Sequence, residues 1–299
     1  MKHILAPIAL LAARATVPEP DAGDSIKGCA EGLYLISVRG TGEQPGIGGS
    51  GSIIGSKVRD QIKGTKIVAL DYPATLSKPS YQYSVGNGTK NLNELISDHV
   101  KDCPNDKIAI MGYSQGAQVT LDTLCGTDES GFADTAPISS DKIDKHVVAV
   151  ALFGDPTHVA NVTYNKGTSI NNGVFPRKNS DSCLKYSKII TSWCDTGDIY
   201  CDVGNQTAVH GLYFSRYGDD IVKFIVDKAK GTSSGGGSNS TTTASSASPT
   251  GSVQPTGSTT SGTLPTTTTT PSAADGLNIA SKGLYIALPL ALAAVFQML

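Results

Sequence analysis

Short apolar runs alternate with segments of helical periodicity through most of the chain, and this alternation restricts the fold more than any other feature. Residues 33–38, 66–70, 107–111, 147–153 and 188–192 carry apolar side chains on both faces, as strands do when a parallel sheet is covered on both sides. Helical patterns lie between them. Residues 53–62 and 92–100 repeat apolar positions at helical spacing, the second with Leu92, Leu95, Ile96 and Val100 on one side. Residues 115–125 follow the third run directly. Residues 219–229 set Ile221, Val222, Phe224, Ile225 and Ala229 along one face and stop before Gly231, a helix end with a glycine just past it. Strand–helix alternation predicts an α/β architecture, a parallel sheet flanked by helices. No internal repeat is visible.

The alternation does not reach either end of the 299 residues. Residues 1–15 begin basic (Lys2, His3), continue apolar over 4–13 and end in Ala13-Arg14-Ala15. That is the pattern of a secretory signal, too short to span a bilayer. A short segment, 16–28, follows. From Gly231 the composition turns to Ser, Thr, Gly and Pro, with an unbroken threonine run over 266–270. Such a stretch has too little apolar surface to offset its ordering entropy, so 231–271 is expected to be a disordered, glycosylated stalk. Residues 272–299 combine small residues (Ser272, Ala273, Ala274), a polar spacer and an apolar end. This is the order of a GPI-attachment signal, with those three residues as candidate attachment points. A C-terminal membrane helix is the alternative, but the apolar tail is slightly short and lacks a charged stop. The folded part is then 29–230, roughly 200 residues and enough for one domain with a sizeable core.

Charge and cysteine usage narrow the function classes. Lysine and arginine number 24 against 26 acidic residues, with no basic block, so no nucleic-acid partner is expected. All six cysteines, Cys29, Cys103, Cys125, Cys183, Cys194 and Cys201, fall within 29–230. An even count in a secreted chain predicts disulfides. Without a C-x-x-C pair, and with sparse histidine, no metal site is expected. Asn87, Asn161, Asn205 and Asn239 head N-glycosylation sequons, which also fits secretion.

One constellation carries chemistry. Gly112-Tyr113-Ser114-Gln115-Gly116 matches G-x-S-x-G, but so does Gly231-Thr232-Ser233-Ser234-Gly235 in the stalk. Context separates them. Ser114 follows an apolar run and precedes a helix, the strand–elbow–helix setting of an exposed nucleophile, and its flanking glycines permit a tight turn. The Gln115 N–H, at the helix start, would face a developing oxyanion. A serine hydroxyl needs a base. Of five histidines, His3 lies in the signal, His99 lies upstream of the serine, and His146 and His158 flank the fourth run. His210 comes late, after Asp198. The order serine, acid, histidine selects Ser114, Asp198 and His210, with Asp155 and His158 as the rival pair. A second oxyanion donor is expected from the loop after the first strand, where Thr41 offers hydroxyl and N–H.

These pieces resemble the cutinase and acetylxylan esterase family of secreted fungal α/β-hydrolases. The matches are Arg39-Gly40-Thr41 with Glu43, Asp71-Tyr72-Pro73-Ala74, the Gly112–Gly116 elbow, Phe153-Gly154-Asp155-Pro156, and Cys194-x3-Asp198-x2-Cys201 followed by His210. The resemblance covers about 29–230. It implies a three-layer α/β-hydrolase fold with a central five-stranded parallel sheet, and no cofactor. It implies catalysis by Ser114, Asp198 (rather than Asp195) and His210, with Thr41 and Gln115 as oxyanion donors. It also implies disulfides Cys29–Cys103 and Cys194–Cys201, which leaves Cys125 to Cys183.

Within that family the Asp-Tyr-Pro-Ala stretch and residues 124–126 look closer to acetylxylan esterases. The loop 202–209 is mostly polar, whereas long acyl chains bind by apolar burial. Tyr81 and Tyr83 are candidates for stacking on sugar rings, although tyrosines more often serve the core or the surface. A glycan on Asn205 would sit near the base and obstruct a bulky polymer. The expected activity is hydrolysis of acetyl esters on plant cell-wall xylan by a secreted, monomeric, GPI-anchored enzyme. Cutin or another polyester is the alternative substrate. A non-catalytic surface adhesin is the alternative class, and a lipase is disfavoured by the lack of an apolar lid segment.

Overall fold

The computed structural model describes residues 21–231. The signal segment 1–15, nearly all of the stalk, Ser233, the anchor signal with Ser272, Ala273 and Ala274, and Asn239 lie outside the described residues.

Six strands form one parallel sheet: β1 (Tyr34–Val38), β2 (Lys66–Ala69), β3 (Ile108–Tyr113), β4 (Val147–Phe153), β5 (Asn165–Lys166) and β6 (Ile190–Trp193), in the order β2-β1-β3-β4-β6-β5. Helical segments cover both faces: α1 (Gly48–Ser50), continuing through a π-helical turn (Gly51–Gly55) into α2 (Ser56–Gln61), then α3 (Tyr81–Asp102), α4 (Gln115–Cys125), α5 (Ser140–His146), α6 (Asp181–Leu184), α7 (Thr207–His210) and α8 (Tyr213–Lys230). The two-sided apolar character of the strands has a direct cause. Alternate residues of β1 and β3 divide between two separate clusters. Tyr34, Ile36, Ile108 and Ile110 pack toward α3 and α4, against Leu92, Ile96, Val119 and Leu124. Leu35, Ala109, Met111 and Phe153 pack toward Ile54, Val58, Tyr213, Ile221 and Ile225. Residues i and i+1 of a strand point to opposite faces, so both must be apolar when both faces are covered.

A short sixth strand adds to the expected five. β5 is two residues long, polar, and pairs with Ser192 and Trp193 at the sheet's edge. Backbone pairing alone defines it, so the apolar pattern carries no trace of it. Two helices are longer than their periodicity. α3 begins at Tyr81, where Ser80 caps it by accepting the Tyr83 N–H. Its first turns hold Gly86 and Gly88, which mask the pattern. Gly88 is there for clearance, because a Cβ would stand 2.8 Å from both Tyr72 and Val119 side-chain atoms. The last helix runs from Tyr213 to Lys230 and is closed by Gly231, which adopts the left-handed conformation.

Three disulfides fasten the periphery: Cys29–Cys103, Cys125–Cys183 and Cys194–Cys201. At the centre of the sheet, β1 hands the chain to β2 on one side and β3 hands it to β4 on the other. The loops at their carboxyl ends diverge there, the usual place for a site in such sheets.

Candidate active site

Ser114 sits at the turn between β3 and α4 with φ 54° and ψ −118°. That is a costly backbone for a residue with a side chain. It is held by the Ser114 N–H, which donates to the Phe153 carbonyl (2.8 Å), and by the Ser114 carbonyl, which takes the Ala117 N–H (2.9 Å). The flanking glycines serve differently from the sequence expectation. Neither has the left-handed backbone; Ser114 has it. They provide clearance instead. A Cβ on Gly116 would stand 2.1 Å from the Val38 carbonyl oxygen, and one on Gly112 would stand 2.6 Å from that of Gly116.

His210 ends α7 and packs against the end of β4, so closely that a Cβ on Gly154 would meet its ring at 2.6 Å. The Tyr113 hydroxyl donates to the His210 carbonyl at 3.0 Å. The same two strand ends, β3 and β4, therefore carry both Ser114 and His210. Among the described residues no hydrogen bond closes between Ser114 Oγ and His210, a contact that commonly tightens only with substrate bound. Nδ1 of His210 lies 2.8 Å from Asp198 Oδ2.

Asp198 is fully buried. Its Oδ1 accepts the N–H groups of Tyr200 (2.7 Å) and Cys201 (3.1 Å). Its Oδ2 accepts from Tyr213 Oη (2.7 Å) as well as His210. Burial pushes its pKa up, but the bonds from His210, Tyr213 and Tyr200 outweigh burial and hold it below the ordinary carboxylate value. Asp195 faces elsewhere, taking Arg216 Nη1 at 2.6 Å and Tyr217 Oη at 2.7 Å.

The rival residues are not joined as an acid–base pair. Asp155 Oδ1 accepts the Thr157 N–H and hydroxyl, both at 2.8 Å. His158 is buried beside Asn165, and burial lowers its pKa. His99 stacks on Tyr34 at 3.5 Å and contacts Asp106 at 3.0 Å. His146 ends α5.

Thr41 lies in the loop after β1. Glu43 braces that loop, its carboxylate accepting the Gly40 N–H (2.6 Å) and the Gly49 N–H (2.8 Å). A Cβ on Gly40 would stand 3.3 Å from Ser114 Cβ, so loop and elbow are in contact. Arg39, buried, donates to the carbonyls of Leu70 (3.1 Å) and Tyr72. Gln115 is the first residue of α4, so its N–H has no intrahelical partner.

A family model described as cutinase matches residues 29–229. The chain belongs to the cutinase family. It is 31% identical over 203 residues to acetylxylan esterase 2 of Talaromyces purpureogenus, covering 66% of this chain and 86% of that protein. It is 33% identical over 227 residues to cutinase 11 of Verticillium dahliae, covering 73% and 75%. The solved catalytic core of the Trichoderma reesei acetylxylan esterase matches with TM-score 0.62 at 31% identity, covering 67% of this chain and all of that one.

Other features of this cutinase-family site escaped sequence reasoning. Tyr213 donates directly to Asp198, yet as a tyrosine at a helix start it gave no signal. Tyr200 packs edge-on against His210 with ring centroids 4.6 Å apart. Tyr81 is not free to stack on a sugar, since its hydroxyl donates to Gln118 (3.0 Å) and its ring packs against Phe132 and Phe175. Tyr83 is exposed. Asn161 and Asn205 are exposed, whereas Asn87 is half-buried and its sequon partner Thr89 is buried.

Proposed function

We propose that this chain is a serine esterase in which Ser114 is the nucleophile, His210 the base and Asp198 the acid, cleaving acetyl esters of xylan through an acyl-enzyme. The observation that carries the reading is the convergence at the ends of β3 and β4. A strained serine on an elbow stands there beside a histidine whose Nδ1 is held by a buried carboxylate. His210 accepts the Ser114 Oγ proton on Nε2 as Oγ attacks the ester carbonyl. Asp198 keeps the proton on Nδ1 and stabilises the imidazolium. The oxyanion is met by the Gln115 N–H and by Thr41. His210 protonates the leaving alcohol, and water then releases the acid by the same steps.

The acetyl-xylan choice is supported by the relatives named acetylxylan esterase and by the exposed polar run from Asn205 to Thr207. Cutin or another polyester is the second reading. It is favoured by Cutinase 11 and by an apolar pair, Ile170 and Val203, 78% and 59% exposed. The residues flanking Ile170, Ser169 and Asn171, both donate to the carboxylate of Asp202, the chain neighbour of Val203. The secreted chain, assayed on p-nitrophenyl esters of increasing length and on acetylated xylan, separates the two readings. Preference for long chains moves the substrate to polyester, and activity retained in Ser114→Ala ends the nucleophile assignment.

The same reading takes the protein to be a secreted monomer, held at the cell surface by a GPI anchor. The disulfides support an oxidising compartment. Release from cells by a phosphatidylinositol-specific phospholipase C tests the anchor.

A further inference from the structure

We propose that Ala74 and Thr75 form a strut that sets the distance between the two oxyanion donors, with Ser84 as the positioning residue that locks it. The inference rests on the reading of Thr41 and Gln115 as those donors. The donors belong to separate elements, the loop after β1 and the first turn of α4. Successive carbonyls of one segment bind both. The Ala74 carbonyl accepts the Gly42 N–H at 2.8 Å, one residue from Thr41. The Thr75 carbonyl accepts Gln115 Nε2 at 3.0 Å.

Ser84, fully buried on α3, closes a ring. Its hydroxyl donates to Gln115 Oε1 (2.8 Å) and accepts the Thr75 N–H (3.1 Å). The roles are not interchangeable. The Thr75 N–H can only donate, so it uses a serine lone pair, and the single hydroxyl proton goes to the amide oxygen. That fixes the Gln115 amide with its NH2 toward Thr75. Each polar side-chain atom of the ring has a partner, and such a connected buried network is rigid.

Ala74 is buried with φ 51°. A left-handed alanine costs on the order of 1–2 kcal/mol and persists only where its surroundings over-determine it. Here the bonds on either side of it supply that constraint. A donor displaced by about 1 Å at an oxyanion site costs up to about a hundredfold in rate, so a spacer of this kind acts on kcat. It touches no substrate.

The test is kinetic. Ser84→Ala is expected to lower kcat on p-nitrophenyl acetate about tenfold, with KM changed less than about twofold, and to weaken an alkyl boronic acid by about the same tenfold, since that inhibitor forms the tetrahedral adduct. Ser84→Thr, which keeps the hydroxyl, should restore both. Gln115→Met keeps the backbone donor and removes both side-chain bonds, so it should reproduce the loss. The double variant Ser84→Ala/Gln115→Met should be no worse than Gln115→Met alone, because both break one ring. If Ser84→Ala does not fold, Gln115→Met carries the test. Parent-like kcat and boronate affinity in these variants, or a KM rise without weaker boronate binding, overturns the strut. Ser114→Ala is run beside them. Only its retained activity would instead overturn the Ser114 assignment, and with it the reading of Thr41 and Gln115 as donors.

Discussion

The proposed nucleophile and acid are defined by their immediate contacts, and substitutions there should separate chemistry from packing. In Asp198→Asn the shape persists, but His210 Nδ1–H loses its charged acceptor and the wrong tautomer is favoured. The expected loss in kcat is about 10⁴-fold with modest change in Tm. Asp195→Asn, one position after Cys194, removes the charged acceptor of Arg216 and weakens the Tyr217 contact. It should lower Tm while leaving kcat within about threefold, since that residue acts on packing alone. Paired pNP-acetate kinetics and thermal melts check both, and equal kcat losses would remove the distinction. Gly116→Ala belongs to the same scale. Its Cβ would press on the Val38 backbone, which cannot move without opening the sheet's centre. The expected outcome is a destabilisation of at least about 1–3 kcal/mol by urea melt, not merely lost activity. The elbow was legible in the sequence because a strand, a serine and a helix follow one another. The reason for its glycines was not, because Gly116 clears Val38 on a strand distant in sequence, and Gly112 clears the first turns of α4 only once the helix folds back over the strand end.

At the scale of elements, the acid loop shows how a short ring serves geometry. Cys194 and Cys201 are seven positions apart, and closing so short a loop restricts the unfolded chain less than a long one does. Within the ring, Asp198 is aimed by N–H groups from Tyr200 and Cys201, and Gly204 N donates to its carbonyl at 2.8 Å. Replacing both cysteines by serine should therefore reduce kcat more than stability, at least about tenfold against a Tm loss of a few degrees. A variant that loses stability with parent kcat would show that the inner hydrogen bonds suffice. Element recognition from sequence followed burial. β1, β3 and β4, covered on both faces, stood out, whereas β5, polar and at the edge, and the glycine-bearing start of α3 did not.

Across the whole molecule, acid–base balance is decided by groups buried away from the reaction, and Asp155 is the clearest case. It was the rival acid on spacing, and in the fold it is a sealed carboxyl beneath the sheet's end. Burial pushes it up to about 6, against the lowering effect of the Thr157 bonds and nearby Arg177. Its folded value exceeds its unfolded value of 3.8, so the proton is bound more tightly in the native state. The associated stability is fully present below pH 3.8 and is lost as pH rises through about 6. A rise of that size corresponds to about 3 kcal/mol at neutral pH. Asp198 has the opposite sign. Its lowered value contributes stability above the ordinary carboxylate range that is lost as pH falls. His99 and His158, lowered by burial, contribute stability above 6.5 that is lost on acidification. The Asp155 and histidine contributions therefore have opposite signs between pH 4 and 6.5. Asp155→Asn removes one side of the balance while keeping the Oδ1 acceptor for Thr157. The variant should be at least as stable as the parent at pH 7.5. It should lose that advantage progressively between pH 6 and 4, where the parent takes up its proton and the variant cannot. Melts of the two proteins across pH 3.5–8 decide it, and parallel curves would mean that burial does not raise the Asp155 pKa above its unfolded value.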